Sequence, residues 1–244
     1  MTAADCLDPA NCPVPDPWKT DLRRLRTVRV AAGTPLYTAY RLSHWPELFK
    51  RSGAGDARFS PLVVGDWPVP TLYLAATQTA ALLESSFHEV HQSNARLISE
   101  ALDLATRGLV ALSAPVSLPL IDLRDDALAT LGLGRSQLVA TTPQHYACSR
   151  EWAARLHTRR IGPVTPVGLL WRSRIAELAS GDSPLLDDLL ALGGDVCVLF
   201  GDRVPTDPGA WKPGDPHYAD LVTGQGRILV EQIAEQLDAV IVGP

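Results

Sequence analysis

Four polar side chains in this sequence, Arg58, Tyr73, Glu84 and Ser173, are each set among apolar or glycine-rich neighbours. Arg58 follows a glycine-rich stretch, and a guanidinium on a flexible turn can bind phosphate oxygens through two parallel hydrogen bonds. A tyrosine offers a flat aromatic face, and a serine offers a hydroxyl group. Together with the nearby carboxylate, these groups predict a nucleotide-binding site.

Regular elements are predicted to position these side chains. Residues 71–76 are typical of a short buried strand, and residues 77–88 have helical composition, which places Glu84 on a helix. A carboxylate on such a helix more often faces solvent than a cleft. Residues 167–171 predict a second apolar strand, and Ser173 follows it between Arg172 and Arg174. Polar groups at strand ends commonly carry chemistry, which favours a cleft position for Glu84.

In this order, the motifs resemble the RES domain, a family named for its arginine, glutamate and serine. The resemblance rests on the arginine turn, on the Tyr-x-Ala and Ala-x-x-Glu motifs around Tyr73 and Glu84, and on the Gly-x-x-Trp-x-Ser motif ending at Ser173. A later apolar strand ending in Leu-Phe extends it over residues 36–204. The resemblance implies a bacterial NAD-consuming toxin, an antitoxin partner with an Xre-type helix-turn-helix, and a fold similar to ADP-ribosyltransferases.

Carried over by position, the family's arginine is Arg58, its tyrosine Tyr73, its glutamate Glu84 and its serine Ser173. Family members commonly have Gly-Gly-Arg-Trp where this chain has residues 56–59, Asp-Ala-Arg-Phe. Many also have an early aromatic-Arg pair, where this chain has Tyr37-Thr38. Arg41 is therefore a further candidate for binding NAD.

The implied reaction breaks the bond between nicotinamide and ribose through a transition state with positive charge on the sugar. Glu84 would stabilise that charge, as carboxylates do in glycosidases. Arg58 would bind the diphosphate, Tyr73 would stack on nicotinamide, and Ser173 would hydrogen-bond the ribose or the amide. NAD is then the substrate and phosphate a candidate co-substrate, and neither a metal nor a second cofactor is required.

Three functions remain open from the sequence. The first is a toxin that degrades NAD by phosphorolysis or hydrolysis. The second is an ADP-ribosyltransferase that passes the same ribose to a protein. The third is a non-catalytic partner-binding protein, favoured by the threonine at position 38, where many family members have an arginine. The first two would share Arg58, Tyr73 and Glu84, so the sequence does not separate them.

Composition limits the class of protein. The 244 residues include 22 lysines and arginines and 27 acidic residues, a net charge of −5, which argues against general nucleic-acid binding. We expect an α+β fold with mixed or antiparallel sheets, divided into an N-terminal tail and basic arm (residues 1–30) and an NAD-binding domain (residues 31–244). Without a predicted signal peptide or membrane span, a reducing cytoplasm is the expected compartment. The oligomeric state is left open.

Other motifs give weaker hypotheses. Glu84, His88 and His91 fall on one face of the predicted helix, but the two histidines are not four residues apart as in a common zinc motif. The cysteines, at positions 6, 12, 148 and 197, show no zinc-ligand spacing. His145 and Ser149 could form a base and nucleophile pair, but a helix surface is the favoured interpretation.

The remaining pattern predicts alternating helices and strands. Helices are predicted at 95–105, from Thr142-Pro143 to about 159, and at 226–237, and strands at 108–112, 118–122, 195–200 and 239–242, with a loop at 205–216.

Overall fold

The computed structural model describes residues 6–51, 56–88, 90, 96–173 and 194–243. The strands are β1 (Thr27–Val30), β2 (Pro35–Arg41), β3 (Leu62–Val64), β4 (Trp67–Val69), β5 (Thr71–Ala75), β6 (Leu97–Ser99), β7 (Arg107–Ser113), β8 (Leu118–Asp122), β9 (Gly168–Arg172), β10 (Asp195–Phe200), β11 (Lys212–Tyr218) and β12 (Val240–Val242). The α-helices of the described part are α1 (Gln78–Leu83), α2 (Asp125–Thr130), α3 (Tyr146–His157) and α4 (Gly224–Gln236).

Eight of these strands form one sheet in the order β1-β8-β9-β10-β5-β2-β7-β11. Neighbouring strands are antiparallel except β8 and β9, which are parallel. Helices flank the sheet, and two short pairs, β3-β4 and β6-β12, lie outside it. The predicted α+β class with a largely antiparallel sheet is confirmed.

The sheet separates two hydrophobic clusters. Along β10, Val196, Val198 and Phe200 belong to one cluster, and the alternate residues Cys197 and Leu199 belong to the other. Since successive side chains of a strand point to opposite faces, the clusters lie on opposite sides of the sheet. A one-residue slip would exchange the two faces of a strand and break the side-chain packing in both clusters, so this packing fixes the register that positions the site.

Tyr73 belongs to the face that packs against α1 and α3. It packs with the cluster that includes Trp152 of α3 and Trp171 of β9. Helix α1 begins immediately after β5, where the Thr77 hydroxyl accepts a hydrogen bond from the Ala80 backbone N–H at 3.1 Å. This N-cap stabilises the start of the short helix, and Glu84, the residue after α1, lines the same small cavity as Tyr73.

Three predicted elements differ from those observed. The helix predicted at 95–105 is, over the described residues, the strand β6 followed by a π-helical turn, Glu100–Leu104, because the apolar Leu97–Ser99 pairs in parallel with β12. The loop predicted at 205–216 contains most of the edge strand β11. Helix α1 ends at Leu83, so Glu84 caps the helix and does not lie within it.

The N-terminal segment is closely attached to the sheet and to α3. Leu22 and Leu25 are buried in the same cluster as Trp152, and Thr27–Val30 pairs with β8. The predicted boundary at residue 30 would thus fall at the end of a strand of the main sheet, and the two-part division remains a prediction. None of the helices in the described ranges is long and apolar enough to cross a membrane.

Candidate functional site

Glu84 and Ser173 are in direct contact although 89 residues separate them along the chain. The Ser173 hydroxyl donates a hydrogen bond to Glu84 Oε1 at 2.5 Å. Ser173 is completely buried just beyond β9, where its backbone N–H donates to the Gly194 carbonyl at 2.8 Å. Glu84 is half-buried at the end of α1. The carboxylate therefore lies in a cleft, as the sequence favoured, with a fixed hydroxyl beside it.

Tyr73 lies on β5, between β10 and β2, and joins Glu84 to the arginine turn. Its hydroxyl accepts a hydrogen bond from the Phe59 backbone N–H at 3.0 Å, and its ring packs edge-on against Trp171 with centroids 6.1 Å apart. Burial raises the pKa of the Tyr73 phenol, and the negative charge of Glu84 adds to this effect. The phenol is therefore neutral at physiological pH and can donate its proton in a hydrogen bond.

Arg58 is buried, with 5% of its surface exposed. Its Nη1 donates to the carbonyl and to the hydroxyl of Thr141, at 2.9 and 2.8 Å, and its guanidinium carbon lies 5.2 Å from the centre of the Tyr146 ring. The arginine is thus held firmly against the start of α3. The glycine-rich residues 52–55 that precede it, and Arg174 after Ser173, lie outside the described residues.

Two cavities meet at Tyr73. A small one of about 50 Å³ is lined by Tyr73, Glu84 and residues of β2 that include Thr38 and Ala39. A larger cleft of about 710 Å³ shares Tyr73, Thr38 and Ala39 with the first. Its volume falls in the range of small-molecule and cofactor sites, about 300–1,000 Å³.

The larger cleft is strongly cationic. Its lining includes Arg41, Lys50, Arg51 and Arg107. Arg41 and Arg107 are directly opposite one another on the antiparallel strands β2 and β7. Burial, followed by the positive charge of Arg41, lowers the pKa of Arg107.

Like charges directly opposite one another in a sheet are destabilising, and an anion between them would remove that cost. Within the described residues, Arg107 Nε is buried without a hydrogen-bond partner. The pair of arginines is therefore suited to binding an anionic group such as a diphosphate. The sequence indicated Arg41 but not Arg107, because only the strand register brings the two together.

Four of the predicted residues lie at or next to the two cavities, and the fifth, Arg58, is connected to them but lies apart. Tyr73, Glu84 and Ser173 surround the small cavity or contact a residue that does, and Arg41 lies in the adjoining cleft. Arg58 is linked to them through Phe59 and Tyr73 and is absent from the described lining of both cavities.

The weaker motifs have other partners in the structure. His88 shares a hydrogen bond of 3.0 Å with the Tyr146 hydroxyl, and His91 lies outside the described residues. Ser149 is fully buried and bonds to Thr141 Oγ1 at 3.2 Å and to the His145 carbonyl at 3.4 Å. The helix-surface interpretation of His145 and Ser149 was wrong, since both residues are buried at the start of α3.

Comparison with known proteins identifies the family. A model of the RES domain matches residues 26–191. The chain belongs to the RES domain family. The matched range of this RES domain contains Arg58, Tyr73, Glu84 and Ser173.

The RES fold of this chain is similar to one chain of the crystal structure of the M. tuberculosis MbcT-MbcA toxin-antitoxin complex. The TM-score is 0.54 at 16% identity, with 86% of this chain and 93% of that chain covered. At this identity the similarity concerns the fold. No curated protein matches the sequence.

Proposed function

We propose that this RES protein is a toxin-type enzyme that cleaves the nicotinamide-ribose bond of NAD, by phosphorolysis or hydrolysis. The observation that carries the proposal is the Glu84 carboxylate, fixed by Ser173 in a cavity that adjoins a cationic cleft. The cleft has the volume and the positive charge to hold the diphosphate, and the small cavity presents Glu84 next to it. Membership of the RES family supports the same substrate.

In the proposed complex, Arg41 and Arg107 bind the diphosphate, and Arg58 adds positive charge from behind Tyr73. The Tyr73 ring, which is part of the lining of both cavities, would contact the nicotinamide ring. The nicotinamide end of the substrate then lies towards Glu84, since Tyr73 and Glu84 line the same small cavity.

The bond between ribose C1 and the nicotinamide nitrogen breaks, and its electron pair leaves with neutral nicotinamide. Glu84 stabilises the positive charge that develops on the ribose, and Ser173 holds the carboxylate in place. An oxygen of phosphate or water then forms a bond to C1. The products are nicotinamide and either ADP-ribose 1″-phosphate or ADP-ribose, with the proton of an attacking water released to solvent.

The proposed protein partner is an antitoxin with an Xre-type helix-turn-helix. Two observations support a partner of this kind, the RES family match and the fold similarity to a chain from a toxin-antitoxin complex. Binding of an antitoxin over the cleft would prevent NAD from entering.

The test is NAD consumption by the purified protein with and without phosphate, followed by chromatographic separation of nicotinamide, ADP-ribose and its 1″-phosphate. We expect Glu84→Gln to lower turnover by about 10²–10³-fold, because it removes the stabilising charge and preserves the side-chain shape. Glu231→Gln, on the exposed face of α4, is the matched control and should leave turnover unchanged.

Wild-type turnover in Glu84→Gln would refute the role of the carboxylate. The other candidate functions give different product patterns. Nicotinamide release that requires an added protein acceptor would indicate an ADP-ribosyltransferase. The exposed Trp45, which lines the cleft, is a suitable contact for such an acceptor. No release under any condition would indicate a non-catalytic binding protein.

A further inference from the structure

Three cysteines and a histidine from two distant parts of the chain converge beside α3. Cys6 and Cys12 belong to the N-terminal segment, and His145 and Cys148 lie at the start of α3. Cys6 Sγ is 3.4 Å from His145 Nδ1, and Cys12 Sγ is 3.6 Å from Cys148 Sγ. The ligand atoms of Cys6, Cys12 and His145 all lie within 4.8 Å of one another.

The two shortest separations match two edges of a tetrahedral zinc site. Zinc binds cysteine sulfur at about 2.3 Å and histidine nitrogen at about 2.0–2.1 Å. Tetrahedral angles then place two sulfurs about 3.8 Å apart and a sulfur and a nitrogen about 3.5 Å apart. The observed 3.6 and 3.4 Å differ from these values by a few tenths of an ångström or less. Cys148 lies outside the set of ligand atoms that are all within 4.8 Å of one another, so its side chain must move closer to the others to become the fourth ligand.

We propose that Cys6, Cys12, Cys148 and His145 bind one zinc ion in a structural Cys3His site. Three thiols and an imidazole are a donor set that selects zinc over magnesium or calcium. Binding releases one proton from each thiol, which leaves three thiolates and a neutral histidine on the metal. Four protein ligands leave no open position for substrate, so the site is structural and separate from Glu84.

The surroundings of the cluster are consistent with metal entry and retention. Cys6, His145 and Cys148 are buried, whereas Cys12 is partly exposed. A cleft of about 340 Å³ runs along the cluster and is lined by Cys6, Cys12, Cys148 and Glu151. A hydrated ion can therefore reach the thiols from solvent and lose its water as it is bound.

The site would fasten the N-terminal segment to the helix that supports Arg58. Besides the apolar packing of Leu22 and Leu25, residues before β1 contact α3 and the turn before it through polar bonds. Leu7 N–H donates to the Gln144 carbonyl at 3.2 Å, and Trp152 Nε1 donates to the Pro15 carbonyl at 2.6 Å. His145 directly precedes Tyr146, whose ring lies against the Arg58 guanidinium. Metal binding here would stabilise the segment and the arginine support together.

The test is the metal content of the full chain, expressed with added zinc, purified under reducing conditions without chelators, and analysed by inductively coupled plasma mass spectrometry. We expect about one zinc per chain. Replacement by Co²⁺ should give thiolate-to-cobalt charge-transfer bands and the intense visible bands of tetrahedral cobalt. Cys12→Ser and Cys148→Ser should each lose most of the metal, and Cys197→Ser, a buried cysteine on β10, should retain it.

The zinc content and the cobalt spectrum are measured on the wild-type protein, so the test does not depend on whether a variant folds. Absence of zinc after reconstitution, or a cobalt spectrum without thiolate bands, would overturn the proposal. Zinc that remains in Cys12→Ser and Cys148→Ser would place the metal elsewhere.

Discussion

The contact between Ser173 and Glu84 makes the strongest quantitative prediction. Ser173→Ala removes the only proton that the side chain can donate to Glu84 Oε1 and changes little volume. The carboxylate would then be free to rotate away from the reacting ribose. We expect a fall in kcat with a smaller change in KM, because the hydroxyl acts by positioning the group that stabilises the transition state.

The size of the effect follows from the geometry. A hydrogen bond to a charged acceptor contributes about 1.5–3 kcal/mol, and short O–H···O⁻ bonds are among the stronger ones. The observed 2.5 Å is at the short limit. Since about 1.4 kcal/mol corresponds to a tenfold change in rate, turnover should fall by about 10- to 150-fold.

A double-mutant cycle distinguishes positioning from direct contact with substrate. The assay measures nicotinamide release by wild type, Ser173→Ala, Glu84→Ala and the double variant, with thermal unfolding as a check of folding and Ser117→Ala as a distant control. If Ser173 acts through Glu84, its removal has no further effect once Glu84 is alanine. Rate losses that add in full would refute this reasoning and indicate that Ser173 contacts the substrate itself.

Two further predictions concern charge. Arg41→Ala and Arg107→Ala should each raise KM for NAD about tenfold with a smaller effect on kcat, measured by initial rates, because they remove diphosphate contacts; an unchanged KM in both would exclude this cleft. Although burial alone would raise the pKa of Asp122, hydrogen bonds from Arg124 and the charges of Arg124 and Arg26 hold that pKa below its ordinary value. The stabilisation from this pairing is complete above the pKa of the unfolded state, about 4, and is lost as the pH falls through the lower pKa of the folded state. As the pH is lowered below about 4, the free energy of unfolding, measured by chemical denaturation, should therefore fall further in wild type than in Asp122→Asn.

The sequence predicted the site best where its elements are formed by residues close together along the chain. An apolar run forms the strand that carries Tyr73, and an N-cap threonine starts the next helix. The spacing between Tyr73 and Glu84 could therefore be translated into a strand followed by a helix. The exact end of α1 was not, because the helical composition continues past Leu83 while the chain turns back at Glu84. Ser173 was predicted as a site residue from the strand end and from the family resemblance, with the ribose or the amide as its partner. Its hydrogen bond to Glu84 was not predicted and came from the fold.

Features that depend on long-range pairing were missed. Arg107 becomes part of the cleft only through the register that places it opposite Arg41, and no local pattern marks such a pair. The contacts of Cys6 with His145 and of Cys12 with Cys148 join segments more than 130 residues apart, so the spacing of the cysteines does not indicate them. Spacing rules recognise sites built on one turn or hairpin and overlook those assembled between distant segments.

The edge strand β11 has a consequence for assembly. Its sequence, Lys-Pro-Gly-Asp-Pro-His-Tyr, includes Pro213 and Pro216, and neither proline has a backbone N–H to offer to an additional strand. A register shift between Gly214 and His217 further interrupts its hydrogen-bonding edge. Growth of the sheet into an intermolecular β-ladder is therefore blocked at this end, which protects a large, apolar, mainly antiparallel sheet from edge-to-edge aggregation.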